Sequence, residues 1–86
     1  MKEIKVFVAP TCWPCQLFKP ELRKVAMDLN LEYTEYDVST DEGLNLAKEY
    51  GIQSSGQAIY FEDNVEKFRW IRPCSSDQIK KDIQSC

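Results

Sequence analysis

The chain has 86 residues, of which 43% are hydrophobic and 29% charged, and its net charge is −3 at pH 7. A chain of this length buries only about 60 to 65% of its unfolded surface, so we expect one domain over residues 1–86. The acidic balance argues against nucleic acid as a partner, and the absence of histidine excludes histidine nucleophiles, bases and zinc ligands.

The sequence contains no pattern of a targeting or membrane segment. No apolar run of signal-peptide length follows Met1, and the longest uncharged apolar stretch, residues 6–9, is too short to span a bilayer. We therefore expect a cytosolic protein with no membrane partner, and a monomer.

The first predicted elements are a buried strand and a helix. Residues 4–9 are almost all apolar and rich in β-branched side chains, which is typical of a central strand buried on both faces. Pro14 suits the first turn of the helix that follows, Pro20 is expected to kink it, and Asn30 suits its end. The apolar positions at helical spacing are Phe18, Leu22, Val25, Ala26 and Leu29.

The next predicted elements are an edge strand and a second helix. Residues 31–38 have strand composition without clean alternation, which favours an edge position. Ser39 and Glu42 form a capping-box pattern that predicts the beginning of a helix, and Gly51 predicts its end.

The last third of the chain predicts a hairpin and a helix. Residues 57–61 and 65–71 have strand patterns around a loop at 62–64, and Ser75 with Gln78 forms another capping-box pattern. In that helix Ile79 and Ile83 face inward. The element order β-α-β-α-β-β-α, with a right-handed crossover after the first strand, predicts an α/β fold whose mixed four-stranded sheet has helices on both faces.

The motif Cys12-Trp13-Pro14-Cys15 lies where the predicted central strand meets the beginning of a helix. Free N–H groups and the helix dipole stabilise a thiolate there, so we expect Cys12 to have a lowered pKa and to act as a nucleophile. Cys15 lies one turn further on and can close a disulfide or resolve a mixed one. We therefore predict that Cys12 and Cys15 are catalytic, with Pro14 fixing the geometry between them.

Other interpretations of the cysteines remain open. The four cysteines could form a disulfide framework or a zinc site, although the eleven residues between Cys74 and Cys86 are too many for a short zinc knuckle. The motif pair could also be inert or bind a metal. Trp13 suits either a docking surface or a cover for the helix end, and Cys74 suits either packing or a second reactive thiol.

Two further patterns have ordinary structural interpretations. Residues 67–72 alternate basic and aromatic side chains, which we interpret as a half-buried strand and not as a nucleic-acid surface. Asp37 and Asp41 could be imagined as a metal pair, but acids are also favoured where helices begin, and we predict no metal site.

The segment VFVAPTCWPCQLFKPEL resembles the active-site strand and helix of the thioredoxin family, including the proline five residues after the second cysteine, Pro20. The run YGI at residues 50–52, followed by QAIYF at 57–61, resembles the family's approach to its third core strand. The short length is similar to the glutaredoxin-sized branch of this fold.

The resemblance implies a thioredoxin-like fold and a protein-disulfide reductase in which Cys12 attacks and Cys15 resolves. It implies no cofactor other than the redox-active disulfide between these two cysteines. The implied partners are protein disulfides as substrates and either a thioredoxin-reductase-like enzyme or glutathione as electron donor.

The chain departs from the family pattern at several positions. The cis-proline beside the disulfide corresponds to Gly56, the buried carboxylate of the first core strand to Val6, and the aromatic residue before the first cysteine to Thr11. The glutathione-binding signature is only partial in residues 73–77. Because glycine has no side chain, we expect an open pocket beside Cys12.

These departures leave two alternative functions, a metal or iron–sulfur carrier and a catalytically weak binding module with the same fold. They also define the predicted substrate contacts, which come from the motif and from the loop before the third core strand. The predicted contacts are Thr11, Trp13, Pro14, Ser55, Gly56 and Gln57.

Overall fold

One mixed sheet organises the chain, and the computed structural model describes residues 1–86. In chain order the elements are β1 (Lys2–Val8), α1 (Trp13–Asp28), β2 (Glu32–Asp37), α2 (Asp41–Glu49), β3 (Gln57–Glu62), β4 (Val65–Trp70) and α3 (Ser76–Gln84). The strand order is β2-β1-β3-β4, with β1 parallel to β2 and antiparallel to β3, and β3 antiparallel to β4. The predicted α/β fold, with a central β1 and an edge β2, is confirmed.

Alternation along β1 divides the core into two clusters. Ile4 and Val6 face α1 and α3, whereas Phe7 faces α2. Both faces of β1 are therefore buried, which explains its nearly continuous apolar run. The larger cluster contains Ile4, Val6, Phe18, Leu22, Val25, Ala58, Tyr60, Trp70, Ile79 and Ile83, and the smaller contains Phe7, Ala47, Ile52, Ile59 and Phe61.

The first two helices end as the sequence predicts. Asn30 and Gly51 follow the last turns of α1 and α2 with φ values of 56° and 70°. In each case the next backbone N–H returns to a carbonyl inside the helix, as Ile52 does to Ala47 at 2.7 Å. This pattern satisfies carbonyl groups that would otherwise have no partner.

The beginning of α2 differs from the prediction. Thr40, and not Ser39, is the capping residue, and its Oγ1 accepts a hydrogen bond from the Gly43 N–H at 3.1 Å. The hydroxyl and N–H of Ser39 instead donate to the Asp37 carboxylate at 2.6 and 2.8 Å. Because that turn already uses Ser39, the helix begins one residue later.

Three smaller features complete the fold. α1 continues through Pro20 without interruption. Asp63 and Asn64 both have positive φ, 53° and 67°, and form a two-residue hairpin turn, so β3 extends one residue further than predicted. Residues 65–70 form β4 with Trp70 buried, which confirms the strand interpretation of the basic-aromatic segment. None of the three helices has the length and apolar composition of a membrane span.

Candidate active site

Cys12 and Cys15 meet at the beginning of α1 and are joined by a disulfide, with their Cα atoms 5.3 Å apart. Cys12 is the N-cap residue in an extended conformation, and its Sγ accepts a hydrogen bond from the Cys15 N–H at 3.1 Å. The sulfur thus occupies the place of a capping oxygen, at the positive end of the helix dipole. This is a position at which a helix stabilises a thiolate.

The two sulfurs differ in their access to solvent. Cys12 is 7% exposed and lines a groove of about 230 Å³ together with Thr11, Trp13, Pro10 and Gln16. Cys15 is only 1% exposed, and its Sγ lies 3.8 Å from the Phe7 carbonyl oxygen. An incoming disulfide therefore meets Cys12 first.

Gly56 closes the site from the β3 side. Its φ is 86°, and its N–H donates to the Phe7 carbonyl at 2.8 Å. A Cβ at this position would lie 3.0 Å from the Pro14 Cβ and 3.7 Å from the Cys12 Sγ. The structure thus places Gly56 beside the motif, as the alignment did.

The groove beside Cys12 does not extend to Gly56, so the opening that glycine was expected to give there is not found. Gly56 is buried, because the missing side chain and the positive φ let the loop approach Pro14 closely. The same φ is incompatible with proline, whose ring fixes φ near −65°. Glycine therefore brings this loop onto the motif in a conformation that proline cannot adopt.

The neighbours of Gly56 present unused backbone groups. Ser55 is half-buried and takes part in no backbone hydrogen bond. Gln57 begins β3, and its side chain donates to the Ser54 hydroxyl at 3.0 Å.

Trp13 projects from the site and does not cover the helix end. Its side chain is 71% exposed, and Leu17, one turn further along α1, is 52% exposed. Together they form an apolar strip beside the Cys12 groove, and Thr11 is also exposed at its rim.

A second cavity reaches the motif from the β2 side. It has a volume of about 320 Å³, and its lining residues are Val8, Ala9, Pro10, Cys15, Gln16, Lys19, Glu35 and Asp37. Sequence reasoning missed Glu35, since only the parallel register, in which Val6 pairs with Glu35, brings it to Cys15. It also missed Lys19, which lies one turn after Cys15 on α1.

Glu35 is the most heavily bonded side chain of this second cavity. It accepts a hydrogen bond from the Tyr33 hydroxyl at 2.8 Å and pairs with Lys19 at 3.6 Å and with Arg23. Burial opposes ionisation of Glu35, but the bonds from Tyr33 and Arg23 outweigh it, so the pKa of Glu35 lies below its usual value. Burial, and then the Glu35 carboxylate, raise the pKa of Tyr33.

The other two cysteines do not join the motif. Cys74 and Cys86 are unpaired and lie before and after α3, so the disulfide-framework interpretation is wrong. Cys74 packs against the larger core cluster, and burial, followed by the charge of Asp82, raises the pKa of its thiol. These surroundings favour the packing interpretation of Cys74.

Asp37 and Asp41, the two acids considered as a metal pair, lie around the beginning of α2. Asp41 lies in the first turn of α2, and the bonds from Ser39 hold the pKa of Asp37 below its usual value. No group of three or more cysteine, aspartate or glutamate side chains is placed to hold a metal ion. The fold and the paired cysteines together define a thioredoxin-like dithiol protein.

Comparison with known proteins gives the same class. The thioredoxin family profile matches residues 3–85. A chloroplastic M-type thioredoxin of Pisum sativum is 33% identical over 61 residues, which cover 71% of this chain and 36% of the pea protein. NADPH-dependent thioredoxin reductase 3 of Arabidopsis thaliana is 29% identical over 79 residues, which cover 92% of this chain and 14% of that protein.

Solved structures share the fold at lower identity. Thioredoxin 1 of Thermosipho africanus superposes with a TM-score of 0.84 at 18% identity, covering 96% of this chain and 91% of that one. Because the family profile spans almost every residue, the chain belongs to the thioredoxin family. It spans little more than a third of the length of the pea relative.

Proposed function

We propose that the chain is a thiol–disulfide oxidoreductase that reduces disulfides in other proteins. The observation that carries this proposal is the asymmetric pair at the beginning of α1, with Cys12 in a groove at the N-cap and Cys15 buried behind it. Membership of the thioredoxin family supports the same activity.

The reaction transfers two electrons through the two sulfurs. The Cys12 thiolate attacks one sulfur of the substrate disulfide, whose S–S bond breaks, and a mixed disulfide forms. Cys15 then loses its proton and attacks the Cys12 Sγ, which restores the Cys12–Cys15 disulfide. The remaining substrate sulfur leaves with the electron pair and takes up a proton, so the substrate is reduced and the dithiol oxidised.

The groove and the Gly56 loop provide the substrate contacts. An extended segment lying between Trp13 and the loop can pair with the free backbone groups of Ser55 while its sulfur points at Cys12. Thr11 lines the groove beside Cys12, and Pro14 and Gly56 lie next to each other beside the same sulfur, with Gln57 following Gly56 at the beginning of β3. Few charges lie here, which suits apolar segments of varied sequence.

The proposed partners are protein disulfides and a reductant that regenerates the dithiol. The similarity to NADPH-dependent thioredoxin reductase 3 favours a reductase of that kind over glutathione as donor. We propose that the protein is a monomer. We place it in the cytosol, because this cycle needs a compartment that keeps the cysteines reduced. The redox-active disulfide is the only redox group that this cycle needs.

A reduction assay tests the function and separates it from the alternatives. With insulin as substrate, the protein is expected to turn over with NADPH and thioredoxin reductase, whereas Cys12→Ser is inactive and Cys74→Ser behaves like wild type. Binding of insulin without turnover would favour the weak binding module. Visible absorption of anaerobically purified protein, lost in Cys12→Ser, would favour the metal or iron–sulfur carrier.

A further inference from the structure

The cavity on the β2 side gives Cys15 its contact with solvent. Cys15 lines this cavity and no other in the molecule. Its volume of about 320 Å³ has room for several water molecules, because one water occupies about 30 Å³ in the liquid. Protons can therefore move between Cys15 and solvent along this side.

Cys15 must lose a proton when it attacks the mixed disulfide, because the thiolate is the attacking form. The β1 strand beside it provides no base, since Val6 and Val8 are apolar and the Phe7 carbonyl, 3.8 Å from the Cys15 Sγ, accepts a hydrogen bond but not a proton. The chain also has no histidine. Any side-chain proton acceptor for Cys15 must therefore come from the other residues that line the cavity.

Two carboxylates line that cavity, and their surroundings differ. Asp37 is held by both the N–H and the hydroxyl of Ser39, which tie it into the turn before α2. Glu35 pairs in register with Val6 on β1, and Lys19 reaches its Oε1 at 3.6 Å. Lys19 follows Cys15 by four residues on α1, so it links Glu35 to the same helix face as the thiol.

Resting on the proposed function, we propose that Glu35 accepts the Cys15 proton through water in this cavity and that Lys19 is a positioning residue for its carboxylate. As Cys15 bonds to the Cys12 Sγ, the bond from Cys12 to the substrate sulfur breaks and the electron pair leaves with that sulfur. The proton released by Cys15 passes to Glu35 and from there to solvent.

The charged and titratable groups around Glu35 keep its carboxylate ionised. Lys19 and Arg23 face it from α1, and Tyr33 and Asp37 face it from its own strand, whereas β1 contributes apolar side chains. The pKa of Glu35 lies below its usual value, so Glu35 is a weak base, but it is present at neutral pH in the ionised form that accepts a proton.

The experiment separates the attack of Cys12 from the attack of Cys15. In a Cys74→Ser, Cys86→Ser background, reduced protein is mixed with dithiobisnitrobenzoate in a stopped-flow instrument. The first nitrothiobenzoate released reports Cys12, and the second reports Cys15. We expect Glu35→Gln to slow the second release by about tenfold or more while leaving the first unchanged.

The pH profile distinguishes proton transfer from a structural role. With Glu35 present, the second release is expected to vary little around neutral pH. In Glu35→Gln it should rise by about tenfold per pH unit, because Cys15 must then ionise without help. Glu35→Asp should restore part of the rate and the flat profile, and Lys19→Gln should lower the rate less than Glu35→Gln. The matched control is Glu32→Gln, an exposed residue of the same strand, which should change neither release.

Thermal unfolding of each variant accompanies the kinetics. If Glu35→Gln does not fold, the rate and pH slope of the second release in Glu35→Asp and Lys19→Gln test the proposal instead. A second release that stays equal or becomes faster without Glu35, at an unchanged pH slope, overturns the proposal, because the ion pairs would then act only on structure or on the local field. Absence of the first release in the background protein would instead refute the proposed function.

Discussion

The cysteines at the beginning of α1 and those around α3 have contrasting surroundings. Cys12 is itself the N-cap of α1 and receives the Cys15 N–H. At α3 that place belongs to Ser75, which receives the Gln78 N–H at 3.2 Å, so Cys74 lies one residue too early. A displacement of one residue relative to a helix end thus separates a stabilised sulfur from a packing residue.

Cys86 lies at the C-terminal end of α3. Its Sγ lies 3.2 Å from the Asp82 carbonyl and 3.9 Å from the Lys67 carbonyl, so it is surrounded by acceptors. Carbonyl oxygens at a helix C-terminus repel a thiolate. The number of cysteines therefore says little about chemistry until each is placed on its helix.

Cys15→Ser removes the second thiol of the α1 pair and should have the strongest effect on turnover. Turnover should be lost, and a mixed disulfide on Cys12 should accumulate, because no second thiol can release the substrate. Intact-mass measurement under non-reducing conditions checks the adduct, with Cys74→Ser as the control. An adduct on Cys74, or none at all, would contradict the assigned roles.

Alkylation rates compare the two regions directly. In reduced protein at neutral pH, Cys12 should react with iodoacetamide about tenfold faster than Cys74, since a lower pKa gives more thiolate while slightly reducing its nucleophilicity. Burial, and then the Asp82 charge, raise the pKa of Cys74, so its rate should still be rising at a pH where that of Cys12 is constant. Peptide mapping of the labelled protein measures both, and equal profiles would refute the contrast.

Moving a thiol by one residue tests whether the N-cap position alone activates it. Ser75→Cys combined with Cys74→Ser places a sulfur at the N-cap of α3, where the Gln78 N–H can reach it. Its alkylation should be several-fold faster than that of Cys74 in the wild type, because the helix dipole now favours the thiolate. Unchanged reactivity would mean that the cap position alone does not activate Cys12.

Substitutions in the Gly56 loop test whether activity requires more than the N-cap position of Cys12. Gly51→Ala and Gly56→Ala both place a Cβ at a positive φ, but only the Cβ at Gly56 meets other atoms, those of Pro14 and Cys12. Each should lose about 1 kcal/mol of unfolding free energy to backbone strain. Gly56→Ala should in addition lower insulin reduction several-fold, and equal activity of the two variants would remove the loop from the site.

The smallest effect on activity is expected from changing the two cysteines that flank α3. The double variant Cys74→Ser, Cys86→Ser should keep insulin reduction within a few fold of wild type, because neither sulfur contacts the motif. A loss as deep as that of Cys12→Ser would bring the four cysteines back into one site.

The sequence predicted those parts of the molecule that depend on neighbours along the chain. The periodicity of Phe18, Leu22 and Val25 defined one face of α1, and the spacing of Cys12 and Cys15 defined the site. Thr40 was missed because Ser39 offers the same hydroxyl and the choice depends on Asp37.

Features that depend on how strands pair could not be predicted in the same way. Glu35 reaches the Cys15 cavity only because β1 and β2 pair in one parallel register, and nothing near Glu35 in sequence indicates a cysteine site. The close approach of Gly56 to Pro14 depends on the β1–β3 register and on a backbone conformation that composition does not reveal.

The position of β1 also has a consequence for how the chain folds as it is synthesised. β1 precedes both of its partners in the chain, and one of its two edges pairs with β3, whose last residue is Glu62. Until that segment has left the ribosome, β1 exposes an unpaired apolar edge, which is a template for association with other chains. The central strand is thus synthesised well before its second partner, so this small sheet depends on long-range pairing for its folding rate.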